Sequence, residues 1–384
     1  MTAWHFTGPP GRRRRRRKPR VTVERIRAFS LLFLLFACLQ SSKSETDITG
    51  LSISFSHTER HSFIIWHNYY CSDVDDLGFM RPWSPLEESG CQKQYETWYA
   101  SYLPIVVRRR CRWEKENPRR NSHLLQRFVR KGIPHTFRKE LWLRSCPSRK
   151  DGVWQRHEVP DEVIKQIKLD LPRTFPDNKF LKTETTRKTL GRALFAVAEH
   201  IPSVGYCQGL NFVAGIILLV VNDEARAIDL LVHLVSQRQD YYGKNMIGLR
   251  RDMHVLHSLL REHCPRVIVT LEKLDVGLDM LVGKWFVCWF VENLPMETVL
   301  RLWDCMIYEG DEWLFKIAVS LFRSNMIAIS SCETIDQLMT EIQNIGTSKA
   351  ALYCHQLMMK SAALPITNKS IENLRVIAEK EIPE

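Results

Sequence analysis

The sequence has no apolar run long enough to cross a bilayer, because a membrane-spanning helix needs about 20 predominantly apolar residues. Its two most apolar stretches, Ala28 to Leu39 and Leu210 to Val221, hold 12 residues each. We therefore expect Leu210 to Val221 to be a helix buried in a protein core.

The 11 cysteines include no Cys-x-x-Cys pair and are odd in number. Several stand in apolar stretches, as Cys288 does between Val287 and Trp289. Because disulfide frameworks are typical of small secreted chains, we expect reduced, buried cysteines. The sequence thus predicts a cytoplasmic protein without disulfides that works in solution or at the surface of endomembranes.

Motifs for binding a nucleotide or a metal are missing. The sequence has no G-x-x-x-x-G-K-[ST] loop to hold phosphates, no HExxH or GxSxG motif, no kinase signature and no paired metal-ligand spacing. We therefore expect no metal site and no cofactor. Any catalysis would take place in the active site of a partner.

The net charge of +12 is mainly a property of the N-terminus, because Lys and Arg exceed Asp and Glu by eight within residues 1–48. A basic tail is usually solvated and binds polyanions weakly. The sequence has neither zinc-finger spacing nor strands of interleaved aromatic and basic residues, so nucleic acid is not an expected partner.

The N-terminal layout is open to three interpretations. Residues 12–27 carry 10 Lys and Arg and precede the apolar stretch that ends at Leu39, which is the layout of a signal peptide or anchor. The same residues could form a disordered arm that contacts an anionic membrane, or an extension without consequence for the fold, such as a mis-joined gene start.

Helical spacing of apolar residues dominates from about residue 120 to 360, and strand alternation is hard to find. We therefore predict an all-α fold. An amphipathic helix is also predicted from Tyr95 to Trp113. The predicted helices of the main region are Asp161 to Leu171, Thr185 to His200, Leu210 to Val221, Ala225 to Arg238, Asp252 to Cys264, Gly283 to Glu292, Met296 to Tyr308 and Trp313 to Met326.

The first candidate site residue is Arg173, which stands between Pro172 and Pro176 at the end of a predicted helix. Since Pro172 disfavours helical geometry at Leu171, the helix should end nearby and leave Arg173 on a stiff loop. Such a loop can present a guanidinium to a partner. An ion pair between Asp170 and Arg173 on the surface, worth at most ~1 kcal/mol, is the alternative interpretation.

The second candidate is Gln208, in a polar turn flanked by Gly205 and Gly209. Glycine permits positive φ and close backbone approach, so the turn could present the Gln208 amide to another surface. Alternatively, Gln208 and Asn211 satisfy nearby backbone groups of a plain helix connection.

Together, in this order and spacing, the two features resemble the TBC domain of Rab GTPase-activating proteins. The resemblance covers about residues 76 to 365 and rests on several landmarks, of which any one alone would be weak. The landmarks are Gly132-Ile133-Pro134, Arg138 with Trp142, Ile167 with Asp170 and Arg173, Tyr206 with Gln208, Gly209 and Asn211, Trp285-Phe286, Leu294-Pro295, and Leu300 to Asp304.

This resemblance implies a two-lobed helical domain that activates a Rab-family GTPase in trans. Arg173 would be an arginine finger and Gln208 a glutamine finger, while GTP and Mg²⁺ belong to the partner. Supporting or GTPase-binding roles fall to Arg138, Trp142, Asp170, Tyr206, Gly209 and Asn211. The implied organisation is a basic, mostly disordered extension (1–75), a helical flank (76–120), the TBC domain (121–365) and a C-terminal tail (366–384).

Two other functions remain open at this point. A TBC domain that binds a GTPase or adaptor in vesicle trafficking without accelerating hydrolysis usually lacks one finger, whereas Arg173 and Gln208 are both present. A secreted or membrane-anchored helical protein is the other, and it depends only on residues 12–39.

Overall fold

The computed structural model describes residues 75–79, 105–118, 122–146 and 156–381, and over these ranges the chain forms helices and no strand. The all-α prediction is therefore confirmed. Residues 105–116 are helical, and the helices that follow are α1 (Ser122–Lys131), α2 (His135–Arg144), α3 (Asp161–Asp170), α4 (Glu184–His200), α5 (Leu210–Val221), α6 (Glu224–Ser236), α7 (Gln239–Tyr242), α8 (Ile247–His263), α9 (Pro265–Leu274), α10 (Leu278–Val287), α11 (Met296–Glu309), α12 (Glu312–Ser324), α13 (Met326–Ser330), α14 (Ile335–Asn344), α15 (Lys349–Leu352), α16 (Cys354–Ala362) and α17 (Asn368–Ala378).

A first group of helices surrounds α5, which packs against α2, α4 and α6. Apart from Asn211, its side chains are apolar on every face, and Val213, Ile216 and Ile217 are fully buried. A helix that is apolar all round is stable only when it is covered on all sides. The prediction of a buried core helix from Leu210 to Val221 is confirmed in type and in both ends.

A second group is built around α12, which packs against α8, α11 and α16. Its aromatic residues Trp313, Phe315 and Phe322 are fully buried. Helix α17 covers α8 from outside, and α9, α10 and α13 complete this group. The two groups correspond to the two lobes that the family resemblance implies.

The two groups meet where α2 packs on α11, at a buried carboxylate. Asp304 is 1% exposed and accepts hydrogen bonds from Arg138 Nε at 2.8 Å and from Trp142 Nε1 at 3.0 Å. Arg138 Nη2 also donates to Asp304 Oδ2 and to the carbonyl of Ile133, both at 3.0 Å. A buried charge must be paired in this way, so these residues fix the junction between the groups.

Three indole rings lie beside this junction. The Trp303 ring is 5.8 Å from that of Trp142 and 5.1 Å from that of Trp289, measured between centroids. The Trp303 indole N–H donates to the carbonyl of Trp289 at 2.9 Å. We call these three residues the indole cluster.

The prediction of a helix from Gly283 to Glu292 is wrong at both ends. Helix α10 begins at Leu278 and ends at Val287, and Trp289 and Phe290 have φ of 48° and 66°. Positive φ in a non-glycine residue is incompatible with a right-handed helix. The aromatic spacing of this stretch instead serves a buried turn, in which Phe290 N donates to the carbonyl of Trp285 at 2.7 Å.

Several helices beyond the sequence-based prediction also appear: α1, α2, α7, α9 and α13 to α17. The last of these lies within the C-terminal segment 366–384. Its Arg375 forms a bidentate ion pair with Asp252 of α8, at 2.8 and 2.6 Å. Helix α17 is thus part of the packed domain.

Other predictions fall on residues outside the described ranges. They include the three interpretations of residues 12–39, nearly all of the 1–75 extension, and the part of the predicted Tyr95 to Trp113 helix that precedes residue 105. Within the described ranges, none of the helices combines the length and the apolar character required to span a membrane.

Candidate functional site

Arg173 lies in a turn directly after α3, and its side chain is 56% exposed. The helix ends at Asp170, although Leu171 keeps helical dihedral angles of −55° and −49°. The prediction that Pro172 moves Leu171 out of helical geometry is therefore wrong, although the helix does end nearby. The helix ends because Pro172 has no N–H to continue the hydrogen-bond ladder. Thr174 then closes the turn, donating its hydroxyl to the carbonyl of Asp170 at 2.7 Å.

The ion pair between Arg173 and Asp170 is present. Arg173 Nε donates to Asp170 Oδ1 at 2.7 Å, and Nη2 contacts the same oxygen. The Asp170 side chain is only 4% exposed, so its carboxylate is a fixed point beneath a guanidinium that faces solvent. The pair therefore orients Arg173 at the surface and leaves it accessible to a partner.

Gln208 lies on the second turn, between α4 and α5, and is exposed. The turn contains Gly205 and Gly209 with φ of 56° and 116°. A Cβ atom on Gly209 would lie 2.8 Å from Cys288 Sγ and 3.0 Å from Val287 Cγ1. Glycine is thus required at 209 for both its dihedral angle and its close contact.

Two bridges of hydrogen bonds join the turns that carry Arg173 and Gln208. In the first, the Tyr206 hydroxyl donates to Asp170 Oδ2 at 2.5 Å. In the second, Asn211 Nδ2 donates to Thr174 Oγ1 at 2.7 Å, and Asn211 Oδ1 accepts from the Gly209 N–H at 3.0 Å. Asn211 is 1% exposed. The second bridge starts from the backbone next to Gln208, so the two turns share one polar framework.

Tyr206 and Cys207, which lie in or beside this framework, keep their protons at neutral pH. Burial, followed by the hydrogen bond to the Asp170 carboxylate, raises the pKa of Tyr206 far above its usual range. Burial raises the pKa of the Cys207 thiol to about 11. At neutral pH Tyr206 is therefore a hydrogen-bond donor, and Cys207 is a thiol rather than a nucleophilic thiolate.

The structure separates the predicted supporting residues into two places. Asp170, Tyr206, Gly209 and Asn211 lie in the framework that joins the two turns. Arg138 and Trp142 instead bind Asp304 at the junction between the helix groups.

Thr174 and Asn178 are residues of the Arg173 turn that the sequence reasoning missed. Thr174 links the two turns through Asn211. Asn178 is 2% exposed, and its Oδ1 accepts from the N–H groups of Phe180 and Leu181 at 2.9 and 3.0 Å. Asn commonly stabilises turns by accepting from the backbone a few residues ahead, and that was the signal available for Asn178.

The part of the chain that the structure describes contains no group of three or more His, Cys, Asp or Glu side chains that could hold a metal ion.

Comparison with known proteins matches residues 135–329 to the Rab-GTPase-TBC domain family. A relative from Caenorhabditis elegans, growth hormone-regulated TBC protein 6, is 92% identical over 313 residues, which are 82% of this chain and 95% of the relative. The human growth hormone-regulated TBC protein 1 is 35% identical over 76% of this chain and 90% of its own length. The solved flagellar RabGAP TBC domain of Chlamydomonas superposes with a TM-score of 0.59 at 25% identity, covering 75% of this chain and 98% of that domain. The chain therefore belongs to the Rab-GTPase-TBC domain family.

Proposed function

We propose that this protein accelerates GTP hydrolysis by a Rab-family GTPase, inserting Arg173 and Gln208 into the partner's active site. Membership of the Rab-GTPase-TBC family and similarity to a solved RabGAP domain support the choice of partner. The observation that carries the proposal is the framework joining the two turns. Tyr206 and Asn211 tie an exposed arginine and an exposed glutamine to the same rigid surface.

Arg173 supplies positive charge to the transition state. As the γ-phosphoryl group leaves, negative charge spreads over its oxygens, and an arginine provided in trans accelerates this step by about 10³ to 10⁵, or ~4 to 7 kcal/mol. The buried Asp170 carboxylate holds the guanidinium before the partner arrives. Since less side-chain freedom is lost on binding, this arrangement favours insertion.

Gln208 orients the attacking water. An amide both donates and accepts hydrogen bonds, so it can hold a water in line with the scissile bond while contacting the phosphate. The positive φ of Gly209, 116°, fixes the path of the backbone directly after Gln208. Nucleotide and Mg²⁺ are held by the GTPase, so this chain requires no cofactor of its own.

The proposed setting is the cytoplasm, at the surface of endomembranes where Rab proteins direct vesicle trafficking. Contact between the basic residues 12–27 and anionic lipid would add to this association. That contact stays a prediction, because these residues lie outside the described ranges.

The test is single-turnover phosphate release from a panel of GTP-loaded Rab proteins, with the full chain and three variants. We expect Arg173→Ala to lower the stimulated rate by at least about 10³-fold and Gln208→Ala by about 10². Lys188→Ala is the matched control, since it removes an exposed cation from α4 whose partner, Glu184, is also exposed. It should act like the wild type.

Two outcomes would contradict the proposed function. If a GTP-loaded Rab binds the wild-type chain without faster hydrolysis, the protein is a non-catalytic binding module. If hydrolysis is accelerated and Arg173→Ala preserves it, catalysis does not use this arginine. Circular dichroism of each variant controls for folding, because both residues are exposed and their loss should leave the helices intact.

A further inference from the structure

A short segment far upstream of α3 lies on the turn that carries Arg173. We call residues Asp75 to Phe79 the clasp. Asp75 Oδ1 accepts hydrogen bonds from the N–H groups of Leu77 and Phe79, both at 2.9 Å, which folds the clasp into a turn. The Asp75 N–H donates to the carbonyl of Phe79 at 2.9 Å and closes it.

The clasp is hydrogen-bonded to the C-terminal end of the Arg173 turn. The buried side chain of Asn178 donates through Nδ2 to the carbonyl of Leu77 at 3.0 Å. The Lys179 N–H donates to the carbonyl of Gly78 at 2.9 Å. These bonds join positions that lie 101 residues apart in the case of Leu77 and Asn178. The contact is therefore tertiary, and it involves residues that precede the family match beginning at residue 135.

An aromatic stack covers the same turn. The Phe79 ring packs edge-on against Phe175 at 4.9 Å between centroids, and Phe175 packs in the same manner against Phe212 of α5 at 5.1 Å. Phe175 has φ of 48°. A bulky residue keeps such a conformation only where its surroundings hold it there, and the clasp supplies one side of those surroundings.

We propose that the clasp is a positioning element for Arg173, which lies two residues before Phe175. This inference rests on the proposed function, because it assigns the clasp to the catalytic geometry of the same arginine. Asp170 fixes the start of the turn and the clasp fixes its end. A turn held at both ends presents the guanidinium in one place, and a displacement of about 1 Å at a reacting group can cost 10²-fold in rate.

The test uses the full chain with paired substitutions. Asp75→Ala removes the acceptor that folds the clasp, whereas Asp75→Asn keeps an Oδ1 acceptor and should restore wild-type behaviour. Asn178→Asp keeps the acceptor for the Phe180 and Leu181 N–H groups but loses the donor to Leu77. None of these changes touches Arg173 or Gln208.

Two readouts separate positioning from simple loss of stability. With the Rab protein that responds best to the wild type, we expect Asp75→Ala and Asn178→Asp to lower kcat by about 10-fold or more and to leave KM nearly unchanged. Asp75→Ala should also keep the melting temperature of the wild type, whereas Asn178→Asp places a charge at a buried position and should lower it. Without any GTPase, hydrogen exchange should speed up at the Lys179 amide in both variants. Asp75→Asn should match the wild type in each measurement.

Several results would overturn the inference. Unchanged exchange at Lys179 in both disruptive variants means that the clasp does not hold the turn. Faster exchange with unchanged kcat means that it holds the turn without positioning Arg173. Failure of the proposed function looks different: the wild type would stimulate no Rab protein, or Arg173→Ala would stimulate as well as the wild type, while the exchange measurement would still report whether the clasp holds the turn.

Discussion

At the scale of single residues, Asp170 connects Arg173 to the turn that carries Gln208. One carboxylate oxygen binds Arg173, the other accepts from Tyr206, and the main-chain carbonyl accepts from Thr174. The bonds from Arg173 and Tyr206 are charge-assisted, and the burial of the Asp170 carboxylate strengthens them because little water reaches it. A single residue thus orients the Arg173 side chain and links its turn to the turn of Gln208.

Gly209 gives a prediction at the same scale. Gly209→Ala places a Cβ 2.8 Å from Cys288 Sγ at a φ of 116°. We expect a loss of about 1–3 kcal/mol in the free energy of unfolding, because an L-residue is strained there. Stimulation of the GTPase should fall as well, since Gln208 is the adjacent residue.

The matched control is Gly283→Ala, inside helix α10, where the nearest neighbouring atom would lie 3.8 Å from the new Cβ. Alanine favours a helix over glycine, so this change should be neutral or stabilising by up to about 1 kcal/mol. Urea titrations of both variants measure the difference. Equal stability of the two would contradict the strain assigned to position 209.

At the scale of elements, apolar spacing predicted helices well where one helix fills one stretch of sequence. Helix α5 is the clearest case, because its continuous apolar sequence allows a single interpretation. The stretch from Gly283 to Glu292 was misassigned because Trp289 and Phe290 are apolar at helical spacing yet adopt positive φ. The Trp289 ring packs against Trp303 of α11 and lies under the Arg238 guanidinium, and a local pattern does not contain such contacts.

In the candidate site, too, local sequence predicted the exposed residues but not the contacts between distant parts of the chain. Arg173 and Gln208 stood out by their local turn chemistry and by family landmarks. The bond between Tyr206 and Asp170 spans 36 residues and the bond between Asn178 and Leu77 spans 101. Neither contact is encoded by spacing within one element, so only the folded structure brings these residues together.

The docking of α17 on α8 yields an element-scale prediction. Asp252 is fully buried and is bound by Arg375 at 2.8 and 2.6 Å. Arg375→Met would leave this carboxylate with the Tyr241 hydroxyl as a neutral donor and with one more distant cation, Arg251, whose Nε is 3.5 Å away. Since an under-compensated buried charge costs several kcal/mol, we expect a loss of about 2–4 kcal/mol in the free energy of unfolding.

Lys188→Met serves as the control for that measurement, because it breaks an ion pair whose side chains are 67% and 82% exposed. Pairs of this kind contribute at most about 1 kcal/mol. If chemical denaturation gives similar losses for the two variants, the Asp252 pair does not hold α17 in place.

At the scale of the whole molecule, three separate elements bring cations together around His355 of α16. Burial, followed by the charges of Arg301, Arg109 and Lys131, lowers the pKa of His355 to about 4. His355 is therefore neutral in the folded protein at pH 7. Protonation has to work against like charges from α11, from the 105–116 helix and from α1.

The expected consequence is acid sensitivity with a defined window. Because the folded-state pKa of His355 lies below the ordinary value of 6.5, its contribution to stability is complete above pH 6.5 and is lost as the pH falls towards 4. His355 is half-buried, so after allowance for solvent screening we expect a loss of about 1–2 kcal/mol.

His355→Gln stays neutral throughout and should show a flatter decline between pH 6.5 and 4.5, measured from urea midpoints. The exposed His157→Gln variant should follow the wild type, since the carboxylates are the same in all three proteins. Parallel curves for wild type and His355→Gln would exclude this histidine as the source of acid sensitivity.

The indole cluster has a consequence for optical experiments. With rings 5.1 and 5.8 Å apart, Trp142, Trp289 and Trp303 exchange excitation energy and act as one coupled chromophore. The near-ultraviolet signal of these three residues reports on the junction between the two helix groups, around Asp304. It does not report on the turns of Arg173 and Gln208. Because the chain contains 11 tryptophans, a variant that keeps only these three would be needed for tryptophan emission to report on this junction, and a dye placed near Arg173 or Gln208 would be needed to report on the two turns.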